Sequence, residues 1–120
     1  MNIISWNIAC LPRFVVAFSN SNLTNEIYRI DKIKIYLKKI CPDIISLQEV
    51  FTEYSRNTLT KFLEDNNYNV LLSPKYYLSH GGLLIASKYK IITSEYYIYK
   101  NSIGEDWVAN KGILYLQLVI

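Results

Sequence analysis

"PDIISLQEVF", residues 42–51, decides how this chain folds. Pro42 forbids any preceding helix from continuing, Asp43 opens a strand, and Ile44, Ile45 and Leu47 fill it. Gln48 and Glu49 then interrupt the apolar run, between Leu47 on one side and Val50 and Phe51 on the other. A carboxylate in such company is expensive to desolvate unless something pairs with it. Glu49 is therefore a residue in need of a partner.

Upstream, "NIISWNI" (2–8) alternates Ile3, Ser5 and Asn7 against Ile4, Trp6 and Ile8, the period of a strand. A short apolar patch, "FVVAF", follows Pro12. From 24 to 40 the spacing predicts a helix whose stripe is Ile27, Ile30, Ile33, Leu37 and Ile40. Thr24 or Asn25 is placed to cap it, and Lys38 and Lys39 suit its C-terminal end. Downstream, a second helix over 53–65 buries Leu59, Phe62 and Leu63 and ends in the turn "DNN". Short strands come next, at 68–72, 82–87, 91–99 and 112–120. The order is strand, helix, strand, helix, then strands that pair as hairpins, and it reads as α+β.

With 120 residues there is one domain at most, half of it apolar and 19% charged, with no low-complexity tract. The net charge of +3 is compatible with an anionic substrate and does not demand one. A dedicated nucleic-acid binder would carry a denser basic cluster. Cys10 and Cys41 fit no metal or redox spacing, and two free thiols suit a reducing, cytoplasmic compartment. Asn2, Ser5 and Asn7 interrupt any leader-like apolar run, and no run is long enough to span a bilayer. The sequence stops inside an apolar strand, whose edge and face would stand uncovered, so the fold is expected to continue past residue 120 and the fragment alone to self-associate.

Asn7 and Glu49 stand near the C-terminal ends of two strands joined by a helix. A crossover connection makes such strands parallel neighbours, so both side chains can meet at one edge of the sheet. An amide and a carboxylate there suit a hard divalent cation, since magnesium takes one or two carboxylates and completes its shell with water and phosphate. The plain alternative is that Glu49 caps the second helix. In "DWVANKG", Asp106 and Lys111 are five apart across a turn, either an ordinary surface pair or a lysine placed for a phosphate. His80, the only histidine, lies in "SHGG", which reads as a hairpin tip and more readily as a solvated residue than a base.

Four stretches in order, "ISWNIACLP", "DIISLQEVF", "GGLLIASKYKI" and "DWVANKGILYLQL", resemble motifs of the endonuclease/exonuclease/phosphatase superfamily. The last two are most similar to its neutral sphingomyelinase branch, which cleaves sphingomyelin to ceramide and phosphocholine. The resemblance implies a deoxyribonuclease-I-like four-layer α/β sandwich, of which residues 1–120 would be the N-terminal part, one mixed sheet with helices on one face. It implies Glu49 as ligand of an essential Mg2+, which answers the question that Glu49 raised. It implies Asn7 as a catalytic residue contacting phosphate, and Asp106 with Lys111 as a pair that sets the active arrangement, Lys111 near substrate. Gly82 matches a structural glycine behind the site.

The second half of the superfamily pattern, with its Asp-x-Asn pair and its closing Asp-His general base, is not in these residues, and His80 matches no histidine of that pattern. The implied substrate is a phosphodiester, as in a membrane phospholipid met at a peripheral surface, with nucleic acid the weaker candidate. Residues 1–120 are expected to be inactive alone. The rival readings are a metal-dependent nuclease or inositol-phosphate phosphatase of the same superfamily, and a non-catalytic remnant.

Overall fold

The alternation read in the first strand holds in space. β1 (Ile3–Cys10) turns Ile8 and Cys10 into the core and leaves Ile3, Ser5 and Asn7 exposed. The computed structural model describes residues 1–12, 25–76, 79–99 and 111–120. The "FVVAF" patch, Thr24 and most of "DWVANKG", with Asp106, lie outside these.

α1 (Glu26–Ile40) begins at Asn25, whose Oδ1 accepts from the Tyr28 N–H at 3.0 Å, and ends at Cys41, which is left-handed with φ 51°. β2 (Ile44–Val50) follows at once, and α2 (Glu53–Asp65) starts at Thr52, whose hydroxyl accepts from the Ser55 N–H at 3.0 Å. Among the described residues six strands follow: β3 (Asn69–Leu72), β4 (Lys75–Tyr76), β5 (Ser79–His80), β6 (Leu84–Ser87), β7 (Lys90–Ile98) and β8 (Gly112–Val119). β4 with β5 was not foreseen as strand; the pairing is only two residues long, too short for periodicity to register.

The central sheet has the order β1-β2-β6-β3. β1 and β2 are parallel, with Ile4 opposite Ile45 and Trp6 opposite Leu47, while β6 runs antiparallel to both β2 and β3. One face of this mixed sheet carries Ile45, Leu47, Leu84 and Ala86 and packs against Ile30, Ile33 and Leu37 of α1 and Leu59 and Leu63 of α2. The architecture is α+β with both helices on one face, as expected.

Two positions of the predicted stripe fail. Ile27 is 58% exposed and Ile40 38%, because they stand at the two ends of α1, beyond the stretch of helix that the sheet covers. Phe62 is only half-buried, while Ser55 and Arg56 of α2 are buried; the Arg56 guanidinium donates to the Ser73 carbonyl at 3.0 Å. Opposite the site, at the N-terminal ends of β1 and β2, the Asp43 carboxylate accepts from the Asn2 N–H at 2.7 Å and from Lys88 Nζ at 3.3 Å. The same ammonium also donates to the Cys41 carbonyl.

Candidate functional site

The parallel register sets Asn7 directly across from Gln48, one residue before Glu49. Beyond that point the pairing slips: Cys10, not Ala9, faces Val50, so β1 carries one extra residue. Bulges of this kind re-aim side chains at the ends of strands. Ala9 has φ 49° and Glu49 φ 60°, a left-handed conformation that a non-glycine residue adopts at a cost of about 1–2 kcal/mol. The turn at Glu49 also breaks the alternation of β2. Strict alternation would send Glu49 inward after Ile45 and Leu47, yet it is Val50 that is fully buried in the core while Glu49 stays partly exposed.

The two side chains are prepared differently. Asn7 Oδ1 accepts from the Ala9 N–H at 3.0 Å, which fixes which end of the amide is oxygen and leaves its NH2 as the group to offer a ligand. No hydrogen bond or ion pair meets the Glu49 carboxylate among the described residues. The helix-cap alternative for Glu49 is excluded, since Thr52 does that work. No cluster of three His, Cys, Asp or Glu forms among the described residues. One carboxylate, with the Asn7 amide one register position away, would suit a hard cation that keeps most of its water and does not fit a zinc-type cage.

The first turn of α1 grips both strand ends from below. Arg29 Nη2 donates to the Ala9 carbonyl at 3.0 Å and to Cys10 Sγ at 3.7 Å. The Thr52 hydroxyl donates to the Glu26 carboxylate. Burial, with the Glu26 charge nearby, pushes the Cys10 thiol up to about 11, so it is a neutral packing group here and not a nucleophile. Behind Glu49, the Val50 N–H donates to the Gly82 carbonyl at 2.8 Å. Gly82 has φ 67°, and a Cβ there would lie 2.7 Å from Cε1 of Phe51. Only glycine fits between that ring and the strand end, which bears out the structural role expected of Gly82.

Lys111 is exposed at the mouth of the β7–β8 hairpin, where its carbonyl accepts from the Tyr99 N–H at 2.9 Å. That hairpin forms a sheet of its own, so Lys111 is not in the sheet that unites Asn7 and Glu49. Its proposed partner Asp106 lies outside the described residues. His80 stands in β5, paired with Lys75, and not at a hairpin tip.

The model of the endonuclease/exonuclease/phosphatase family matches residues 4–120. The chain belongs to that family. Among relatives of this family, a sphingomyelinase of Dictyostelium discoideum is 33% identical over 65% of this chain and 19% of its own length. Sphingomyelinase C 2 of Leptospira interrogans is 28% identical over 98% of this chain and 21% of its own. Among solved structures, beta toxin of Staphylococcus aureus superposes with a TM-score of 0.79 at 20% identity, over all of this chain and 46% of that one. Sphingomyelinase C of Streptomyces griseocarneus gives 0.77 at 20% identity, over 100% and 44%. The likeness establishes the deoxyribonuclease-I-like fold over the part spanned. The chain covers about a fifth of these sequence relatives and under half of these structures.

Arg29, Glu26, Thr52 and Arg56 escaped the sequence reading. Arg56 alone left a signal, since it falls at core spacing with Leu59 and Leu63.

Proposed function

We propose that this chain is the N-terminal, metal-binding part of a magnesium-dependent phosphodiesterase resembling neutral sphingomyelinases. The observation that carries the reading is the strand-end pair: a Glu49 carboxylate without a protein partner among the described residues, beside an Asn7 amide whose oxygen is already bound. A bound Mg2+ would polarise a phosphodiester oxygen and neutralise charge on phosphorus. Glu49 would hold the ion through its carboxylate. Asn7 donates from its NH2 to a phosphate oxygen as negative charge builds there, which preorganised donors stabilise strongly. Lys111 supplies a positive charge near substrate, answered by Asp106.

None of these groups is a base for the attacking water, so the proton acceptor belongs to the rest of the domain. The relatives' names support a sphingomyelin-like phosphodiester over nucleic acid, and hence work at a membrane surface; the free thiols Cys10 and Cys41 suit the cytoplasmic side. Among the described residues no helix is long and apolar enough to cross a membrane.

The test is Mg2+ titration of the chain and of Glu49→Gln, followed by calorimetry and by amide shifts around residues 7–10 and 47–51. The native chain should respond at those residues. The variant should keep its melting temperature and lose the response, and in a chain carrying the whole domain it should lose turnover of sphingomyelin. An unchanged magnesium response in Glu49→Gln would remove Glu49 as ligand.

A further inference from the structure

The peptide of Ala9 is held from both sides. Its N–H donates to Asn7 Oδ1 and its carbonyl accepts from Arg29 Nη2, each at 3.0 Å. Ala9 is left-handed at φ 49°, a conformation that needs outside support to persist in a residue with a Cβ. Arg29 supplies it from a fixed base: it sits in the first turn of α1, one residue after Tyr28, whose N–H is bound by the Asn25 cap. Its Nε is buried with no hydrogen-bond partner among the described residues. The guanidinium is therefore oriented by its Nη2 contacts at Ala9 and Cys10 at the expense of its own full satisfaction.

We infer that Arg29 is a positioning residue, which acts through the Ala9 peptide to hold the Asn7 amide with its oxygen turned back onto the chain and its NH2 free for substrate. The inference rests on the reading of Asn7 and Glu49 as the reactive pair. It deepens that reading by naming what keeps Asn7 in its working orientation. Glu26 in the same turn bonds Thr52, beyond Glu49, and also lies against the Cys10 thiol, without touching Asn7 or the Ala9 peptide. One helical turn thus reaches both strand ends, and only Arg29 among its side chains bonds the Ala9 peptide.

The experiment is NMR of the side-chain amide of Asn7 in the metal-free chain, compared among the native protein, Arg29→Gln, Arg29→Lys and Glu26→Gln. In the native chain the two Nδ2 protons should give a well-separated pair distinct from free asparagine. Arg29→Gln should collapse them toward free-asparagine positions, Arg29→Lys should move them part-way, and Glu26→Gln should leave them in place. Asn7 signals unchanged in Arg29→Gln, with only the melting temperature lowered, would make Arg29 a structural residue and overturn the inference. Should Arg29→Gln not fold, Arg29→Lys decides by the same readout, since an ammonium cannot reproduce the guanidinium's paired contacts.

In a chain with the whole domain, Arg29→Gln should lower kcat by up to about 10²-fold with KM little changed, with partial recovery in Arg29→Lys. Equal changes in KM alone would also overturn it. Because the Asn7 readout is taken without metal, a chain that fails to bind Mg2+ would sink the proposed function and leave this result standing or falling by itself.

Discussion

Glu49 is where stability and the proposed metal-binding role pull apart within one residue. Its left-handed backbone costs about 1–2 kcal/mol, and glycine would remove that strain while losing about 0.5–1 kcal/mol through its greater freedom when unfolded. Glu49→Gly should therefore raise stability by about 0.5–1 kcal/mol in urea denaturation and abolish the magnesium response. A variant less stable than the native chain would mean that the carboxylate is itself a stabilising contact. Asn7 and Glu49 could be singled out in the sequence because each is a polar residue near the C-terminal end of a mainly apolar strand. Arg29 was not. Its bond to Ala9 spans 20 positions of sequence, and nothing local in "EIYRIDK" says which strand its guanidinium will meet.

At the scale of elements, the strand ends remote from the site are tied by charge. The Asn2 N–H and then the Lys88 ammonium hold the Asp43 carboxyl below its ordinary value. A carboxyl whose folded pKa is depressed contributes stability above its ordinary pKa, about 4, and loses it as pH falls through the folded value. Melting temperatures of the native chain and Asp43→Asn should differ at pH 7 and converge as pH drops below about 4. Parallel curves over that range would show that the carboxylate charge is not involved. At the other end of β2, Gly82→Ala meets both a left-handed φ and the Phe51 ring, so it should cost about 2–4 kcal/mol. Adding Phe51→Leu should recover part of that loss in a denaturation midpoint, and no recovery would leave the backbone term as the whole cost. Helix bounds were readable to within two residues because Asn25 and Pro42 punctuate the first helix locally and the turn "DNN" closes the second. Which ends of the α1 stripe would be covered was not, since that depends on the width of the sheet beneath.

Across the whole molecule, apolar surface is distributed unevenly. On one face of the β7–β8 hairpin Tyr97 stands opposite Ile113, with Tyr115 and Val119 further along, and each of the four is more than half exposed. Exposed apolar side chains grouped in the way that Tyr97, Ile113 and Tyr115 are favour association. The chain alone should elute from a sizing column above its monomer mass and show no turnover of sphingomyelin or DNA. Ile113→Lys with Tyr115→Glu should return it to the monomer. A native chain that runs as a monodisperse monomer and hydrolyses either substrate would defeat both expectations. The sequence announced this patch through the largely apolar run "GILYLQLVI", although pattern alone could not say which alternate residues would be left bare.

The parallel pairing of β1 with β2 has a kinetic consequence. The Gln48 amide that bridges to Ser5 Oγ joins residues 43 positions apart, whereas the Asn69 amide reaches the Ser87 carbonyl across only 18. Closing the longer loop pays its entropy before any contact rewards it, so the β3–β6 pair has the easier start and the β1–β2 pair comes late. Asn7 and Glu49 become neighbours only in that last step, so a folding intermediate with β3 and β6 already paired would still be unable to bind metal. During refolding, the return of the magnesium response should lag behind amide protection in β3 and β6.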